Sequence, residues 1–93
     1  MSAPRRSQVH IYVDILRLIR RKGGVAKPTH ILYGANLSHV RLKKHMEWLL
    51  ERKFVDKQRY GDSYVYKLTK KGREFILEFK KIEEFSEAFG VSV

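Results

Sequence analysis

Apolar residues recur every three or four positions in the first part of the chain, which is helical spacing. The stripe consists of Val9, Tyr12, Val13, Leu16 and Ile19, with Ile15 at its edge. The pair Gly23-Gly24 follows this stripe, and glycine readily closes a helix. The pattern therefore predicts a first amphipathic helix that runs from about Gln8 to the glycine pair.

Two more helices are predicted before residue 53. In the shorter one, Pro28 suits the opening turn and Gly34 suits the end. Asn36 or Ser38 then caps a third helix that runs to about Arg52. Its apolar stripe consists of Leu42, Met46, Leu49 and Leu50, and its opposite face carries Arg41, Lys44 and Trp48, with Lys43 nearer the boundary. Cations near a helix start oppose the helix dipole, which indicates that an anionic partner uses them.

After residue 53 the apolar period changes to that of β-strands. Two strands, Phe54–Tyr60 and Ser63–Leu68, are separated by Gly61-Asp62, a two-residue turn with glycine first. Thr69 then caps a last helix that runs from Lys70 to Phe89. The heptad-like seam of this helix consists of Phe75, Phe79, Ile82 and Phe89, and it is widened by Ile76 and Phe85.

Three helices, a β-hairpin and a final helix predict an α+β, mainly α fold, a winged helix-turn-helix in which the hairpin is the wing. We assign residues 1–7 to a flexible basic arm, 8–69 to the winged-helix domain, and 70–93 to a C-terminal dimerisation helix and tail. The apolar face of this helix is wider than a small core needs, which favours a homodimer with coiled-coil pairing. Ordinary packing in the core of a monomer is the alternative.

The net charge of +10 is distributed unevenly over the 93 residues. Residues 1–73 contain 18 Lys/Arg and 5 Asp/Glu, a net charge of +13, whereas residues 74–93 contain 2 Lys and 5 Glu, a net charge of −3. Such a cationic field indicates a polyanionic partner, nucleic acid before membrane. The alternative is a basic surface kept for solubility.

Several classes of site and of location are disfavoured by the sequence. There is no cysteine, so disulfides and thiolate chemistry are excluded. The four histidines share no ligand spacing, and no nucleophile with a base, pair of acids or glycine-rich phosphate loop is found, so we expect no metal, no cofactor and no enzyme. No apolar run has the length of a membrane span, and no hydrophobic segment of a signal peptide follows the first arginines. A cytoplasmic, nucleoid-associated protein is expected.

The segment His30–Gly72 resembles a family of small archaeal winged-helix DNA-binding proteins, the ten-kilodalton chromatin-associated type first known from Sulfolobus. The family phrase Y-G-A-N-L-S is matched by residues 33–38, and the apolar positions that follow are matched by Leu42, Met46 and Leu49. His39 replaces an aromatic residue, and Lys53-Phe54 replaces the usual Gly-Leu. The phrase YKLTKKG, residues 66–72, matches the end of the wing but is widespread among winged helices. The resemblance implies a homodimer through antiparallel pairing of the last helix and double-stranded DNA as the ligand, bound without catalysis. The predicted last helix is shorter than the longest coiled coils of that family, so a compact bundle of aromatic side chains is the alternative to a long coiled coil.

A recognition helix presents its N-terminal residues to the major groove, which makes the start of the third helix the predicted reader. The contacts predicted there are Ser38, His39, Arg41, Lys43 and Lys44, with Arg41 as the candidate for a guanine edge. Backbone or minor-groove contacts are predicted for Lys27 and Thr29 of the second helix, for Lys57, Arg59, Tyr60, Ser63 and Lys67 of the wing, and for Arg5 and Arg6 of the arm. The predicted dimer interface consists of Phe75, Phe79, Ile82, Phe85 and Phe89. Arg41 and Lys44 on a merely solvated face are the alternative.

Three functions remain open at this point. A sequence-specific transcription regulator and a nucleoid-type architectural protein of low specificity both suit the charge and the resemblance. A winged-helix protein–protein interaction module would use the aromatic last helix for a different partner. Trp48 is expected to pack against a neighbouring element or the dimer partner rather than to stack on bases, and Tyr64 is expected to pack across the hairpin.

Overall fold

The computed structural model describes residues 7–93, which form four helices and one antiparallel three-stranded sheet. The helices are α1 (Gln8–Arg21), α2 (Pro28–Gly34), α3 (His39–Glu51) and α4 (Lys70–Phe89), and the strands are β1 (Val25–Ala26), β2 (Val55–Tyr60) and β3 (Ser63–Leu68). The sheet order is β1-β3-β2, with the β2–β3 hairpin as the wing. The predicted winged helix-turn-helix is confirmed. The predicted arm residues Arg5 and Arg6 lie outside the described residues.

Side-chain caps start three of these helices. Ser7 accepts a hydrogen bond from the His10 amide at 3.4 Å, and Ser38 accepts one from the Arg41 amide at 3.2 Å. Thr69 accepts one from the amide of Gly72 at 3.0 Å. Each cap satisfies an amide that has no partner within the first turn of its helix. The predicted caps Ser38 and Thr69 therefore fix where the third helix and the last helix begin.

The strand β1 is an addition to the predicted elements. It is only two residues long, and it pairs with β3 through Val25 opposite Lys67 and Ala26 opposite Tyr66. The Leu68 amide donates a hydrogen bond to the Gly24 carbonyl at 2.8 Å, which extends this pairing. Gly24 itself has φ +94°, a backbone conformation that favours glycine. This strand ties the end of α1 to the base of the wing.

The hydrophobic core lies between α1, α3, the sheet and the first half of α4. Its α1 members are Tyr12, Ile15, Leu16, Leu18 and Ile19, so Leu18 adds to the predicted stripe. On α3 the buried residues are Leu42, His45, Met46 and Leu49, whereas the predicted core residue Leu50 is half-buried. Trp48 stacks on Tyr12, with ring centroids 4.0 Å apart and planes 6° from parallel. The expected packing of Trp48 against a neighbouring element is confirmed.

The junction between α3, β2 and α4 is closed by several short contacts. Lys53 has φ +62°, in the left-handed region that favours glycine. The Thr69 hydroxyl lies 2.7 Å from the Lys53 carbonyl and 3.0 Å from the Phe54 carbonyl. A side chain at Gly72 would collide with the Phe54 carbonyl, so the first turn of α4 packs directly on this backbone. The end of α3 and the start of α4 therefore form one joined unit.

Candidate nucleic-acid interface

The outer face of α3 carries cations that point away from the core. Arg41, Lys43 and Lys44 are exposed, as is His39 at the first helical position. The cap at Ser38 uses a hydroxyl lone pair, which leaves the hydroxyl proton available for another acceptor. Because Leu42, Met46 and Leu49 face the core, the intervening basic side chains project from the opposite side. The sequence predicted Arg41 and Lys44 on this face and Lys43 nearer its boundary, and all three are exposed. Trp48, predicted on the same face, is instead half-buried against Tyr12 of α1.

The wing divides its predicted contact residues between two faces. Lys57 lies opposite Tyr66 and Arg59 lies opposite Tyr64, and side chains of directly opposed residues share a face. The Lys57 ammonium lies 4.0 Å from the centre of the Tyr64 ring, which confirms that Tyr64 packs across the hairpin. The Arg59 guanidinium donates to the Gly61 carbonyl in the turn at 3.3 Å. These two cations thus belong to the wing face that carries the two tyrosines.

The remaining wing residues lie on the other face of the hairpin. Tyr60 pairs with Ser63 next to the turn, and both are exposed. Lys67 is opposite Asp56 on β2 and also neighbours β1, so it lies near the base of the wing beside a carboxylate. Of the predicted wing contacts, Lys67 is therefore the most distant from the turn, and its charge is partly offset.

A groove of about 310 Å³ separates α3 from the tyrosine-bearing face of the wing. The rim and floor of this groove are formed by Pro28, His39, Leu42, Lys43, Met46, Glu47, Leu50, Lys57, Tyr64 and Tyr66. His39, Lys43 and Glu47 succeed one another at intervals of four residues, so they form one stripe along α3. Pro28 at the start of α2 also reaches this groove, and the exposed Lys27 and Thr29 flank it in the chain. Parts of α2, α3 and the wing thus meet along a single surface.

Two titratable groups near this surface are shifted by their surroundings. Burial lowers the pKa of His45 below its ordinary value, and the positive charges of Arg41 and Lys44 lower it further. Its side chain is only 5% exposed, and its Nδ1 has no hydrogen-bond partner among the described residues. Burial also raises the pKa of Tyr66, with smaller contributions from Tyr64 and Glu47. The buried imidazole of His45 thus lies beneath the exposed cations of α3, which oppose its protonation.

Two residues near this surface were not predicted from the sequence: His45 as part of the core, and Glu47 as part of the row of contact residues. His45 belongs to the apolar stripe by spacing, since it falls three residues after Leu42 and four before Leu49. Its imidazole makes an edge-to-face contact with Tyr12 at a centroid distance of 5.3 Å. The signal for Glu47 was the interval of four from Lys43, which places an acid in the row of predicted contacts. Both spacings can be read from the sequence, but a polar residue is not expected in an apolar stripe and an acid is not expected among DNA contacts.

The cations that form ion pairs lie elsewhere. Arg17 of α1 contacts Glu83 of α4, with Nη2 to Oε1 at 2.5 Å and Nη1 to Oε2 at 3.4 Å. This pairing raises the pKa of Arg17 and lowers that of Glu83. Lys81 pairs with Glu78 on α4 at 3.1 Å. Within residues 7–93, none of the predicted contact cations on α2, α3 or the wing forms an ion pair.

The predicted seam of α4 separates into an inner and an outer part. Phe79 is only 5% exposed and contacts His10 edge to face at 5.1 Å, and Phe75 packs against Phe54 at 4.7 Å. Farther along, Ile82, Phe85 and Phe89 are exposed, and the last two rings contact each other at 4.9 Å. Phe75 and Phe79 therefore pack within the protomer, and the exposed part of the predicted seam begins at Ile82.

No group of three His, Asp or Glu side chains within residues 7–93 is arranged to hold a metal ion. None of the helices described for this chain is both long enough and apolar enough to cross a membrane. Of the predicted contact residues, the groove between α3 and the wing brings together His39, Lys43 and Lys57.

The fold has relatives of known structure. Sso10a-2, a DNA-binding protein from Sulfolobus solfataricus, superposes with a TM-score of 0.79 at 23% identity, over 90% of this chain and 85% of that one. F93 from STIV, a winged-helix DNA-binding protein, gives 0.72 at 17% identity, over 86% and 92%. A MarR family transcriptional regulator from Silicibacter pomeroyi DSS gives 0.71 at 14% identity, over 86% of this chain and 56% of its own. These likenesses show a shared fold.

Sequence comparison gives the family. No curated protein matches the chain. The family model described as winged helix-turn-helix matches residues 5–87, which include every element of the structure except the last two residues of α4. The chain belongs to the winged helix-turn-helix family.

Proposed function

We propose that this protein is a dimeric, double-stranded DNA-binding transcription regulator that places α3 in the major groove. The observation that carries the proposal is the set of exposed cations on α3 and the wing, which no carboxylate among the described residues neutralises through an ion pair. Unpaired cations on one surface attract a polyanion, and binding releases counterions from the duplex. The proposal adopts for this chain what Sso10a-2 and F93 are named for, DNA binding.

Base reading by basic side chains is assigned to the first two turns of α3. The Arg41 guanidinium has the fork geometry that contacts O6 and N7 of guanine together. Lys44, three residues on, reaches a neighbouring base or a phosphate, and Lys43 projects toward the wing side of the same helix. Ser38 and His39 lie at the helix start, where a hydroxyl proton and an imidazole can bind phosphate oxygens.

Backbone contacts are assigned to the wing and to the start of α2. Lys57 and Arg59 share the wing face that borders the α3 groove, so both can reach the strand that flanks the major groove. Tyr60 and Ser63 next to the turn, with Lys27 and Thr29 of α2, are assigned to phosphate or minor-groove contacts. Lys67 is the weakest of these assignments because Asp56 lies opposite it.

Dimerisation is assigned to the outer half of α4. Phe85 and Phe89 are 54% and 70% exposed, and Ile82 continues the row toward the core. Exposed apolar rows of this kind usually mark an interface. A second copy of this chain suits the row because an antiparallel pair would bury both copies of these residues, and two α3 helices would then address two half-sites.

The experiment is a salt series on the binding of random-sequence duplex DNA, followed by fluorescence anisotropy. We expect weak binding with a steep dependence on salt, and much tighter binding to a sequence selected from a random library. Tight binding at physiological salt without sequence preference would favour an architectural protein instead. No binding at low salt would overturn the DNA proposal and favour a protein–protein module.

A further inference from the structure

Glu47 is an acid within the row of predicted DNA contacts. It follows His39 and Lys43 at intervals of four residues, and all three line the groove between α3 and the wing. Its neighbours across the groove are Lys57 and Tyr64 of the wing. Glu47 is exposed, and among the described residues it forms no ion pair with either lysine. A carboxylate thus stands uncompensated on the surface where phosphates are expected.

This placement works against general affinity for DNA. An unpaired carboxylate repels phosphate oxygens, and it can only accept hydrogen bonds. A surface that served phosphate binding alone would be better without it. The major groove, however, offers two base donors, the N4 amino group of cytosine and the N6 amino group of adenine. The adenine amino group is flanked by the N7 acceptor, which repels a carboxylate, so cytosine is the better partner.

We propose that Glu47 determines sequence specificity by accepting a hydrogen bond from the N4 amino group of a cytosine in the major groove. Glu47 lies three residues after Lys44 on the same exposed face, a rise of about 4.5 Å along α3, so the two side chains reach neighbouring base pairs. Where the cytosine is present, the carboxylate gains a donor. Where another base stands there, the carboxylate is left unpaired in a groove lined with phosphates, and the complex is weakened.

The inference rests on the proposed role of α3 as the reading helix, and its test separates the two. Duplexes are selected from a fully randomised library with the wild type, Glu47→Ala, Glu47→Gln and Glu51→Gln. Glu51→Gln is the control, since it removes a carboxylate one turn farther along α3, outside the groove, where Glu51 pairs with Arg52 at 3.8 Å. Thermal unfolding followed by circular dichroism verifies that each variant is folded, which is expected because both glutamates are exposed.

We expect the wild type to select one position as cytosine with about tenfold discrimination. Glu47→Ala should lose the preference at this position alone and should bind random duplex about fivefold more tightly at low salt. Glu47→Gln should shift the preference toward adenine, whose N6 and N7 suit an amide. Glu51→Gln should select the wild-type sequence.

Three results would overturn the inference. If Glu47→Ala selects the same sequence as the wild type, Glu47 does not read a base, although α3 can still be the DNA-binding helix. If the wild type binds duplex without any preference, the specificity role fails and an architectural function stands. If the wild type binds no duplex at low salt, the proposed function fails together with this inference.

Discussion

Among the described residues, charged side chains are left without ion pairs on the α3–wing surface, whereas they form an ion pair on the α1–α4 surface. On the first, Arg41 and Lys44 are exposed and unpaired, whereas on the second Arg17 holds Glu83 at 2.5 Å. A charge that serves the fold is best paired with a partner on a neighbouring element, and a charge that serves a ligand is best left without one. The absence of ion pairs within the protomer, rather than the number of cations, therefore distinguishes the described part of the candidate interface from the α1–α4 surface of this basic protein.

The apolar side chains of α4 make a second contrast along one helix. Ile76 and Phe79 are buried against the protomer, whereas Phe85 and Phe89 are exposed. The same aromatic residue type therefore serves the core in one half of the helix and remains available in the other. The predictions below test these contrasts, beginning with the largest expected effect.

Replacement of both exposed aromatics, Phe85→Ser with Phe89→Ser, should abolish the proposed dimer. Light scattering at micromolar concentration should report a mass that falls from twice the chain mass of 11.0 kDa to that mass itself. Duplex affinity should fall about 100-fold, because the two winged-helix domains of the dimer would no longer bind the duplex as one linked unit. The thermal unfolding of the protomer should change little, since both rings are largely exposed.

Leu77→Ser is the control for that double variant. Leu77 is an exposed apolar residue of α4, but it lies outside the row formed by Ile82, Phe85 and Phe89. It should keep the dimeric mass. A wild-type mass of a single chain under the same conditions would contradict the dimer and would assign the exposed row to some other partner.

Removal of the two outer cations of α3, Arg41→Ala with Lys44→Ala, should weaken binding to random duplex about 100-fold at low salt. Each lost phosphate contact also makes the slope of log K against log salt shallower by about 0.9. Both quantities follow from anisotropy titrations at several salt concentrations. The helix itself should persist, because neither side chain contributes to the core.

Lys80→Ala with Lys81→Ala removes the same charge from α4. Both lysines are exposed, and Lys81 pairs with Glu78 on its own helix. Duplex affinity and salt slope should remain close to those of the wild type. An equal loss of affinity in both double variants would mean that total charge, and not the α3 surface, governs binding.

The smallest expected effect is the dependence of stability on pH that arises from His45. Its pKa is lowered in the folded state, so the unfolded chain binds the proton more readily. Stability should therefore be complete above the ordinary histidine value of about 6.5 and should decline as the pH falls below it, by at most about 1.4 kcal/mol per pH unit for one proton. Urea unfolding at several pH values between 7.5 and 5 measures this decline.

His45→Leu should flatten the decline, since the buried group no longer titrates. His30→Leu, at an exposed position, should retain it. If His45→Leu keeps the full decline of the wild type, the pH dependence comes from other groups and the assignment to His45 is wrong.

Local patterns were enough to predict the helices, the hairpin and the caps at Ser38 and Thr69. The reason is that helix period, turn residues and cap residues act within a few positions of the chain. The same reasoning placed Arg41, Lys43 and Lys44 on one exposed surface. The sequence could therefore predict the position of α3 and the exposure of these three cations.

Features that depend on distant partners were not predictable in this way. The strand β1 exists because Gly24 and residues 25–26 meet β3, which lies about 40 positions later. The burial of His45 depends on Tyr12 and the rest of α1, and the division of Phe79 from Phe85 depends on where α4 leaves the protomer. The two faces of the wing follow from its register, which a sequence shows only once the pairing is known.

The contacts among Lys53, Phe54 and Thr69 hold the base of α4 against the end of α3, so a small rotation at this junction moves the far end of α4 by a larger distance. Twenty residues of helix rise about 30 Å, so a rotation of about 5° at the base would displace the far end by about 3 Å. Because Gly72 packs directly against the backbone of Phe54, the end of α3 would rotate together with α4. In the proposed dimer, the angle at which the two α4 helices pack would therefore set the distance between the two α3 helices. A substitution in the outer half of α4, far from DNA, could then change the preferred spacing of half-sites.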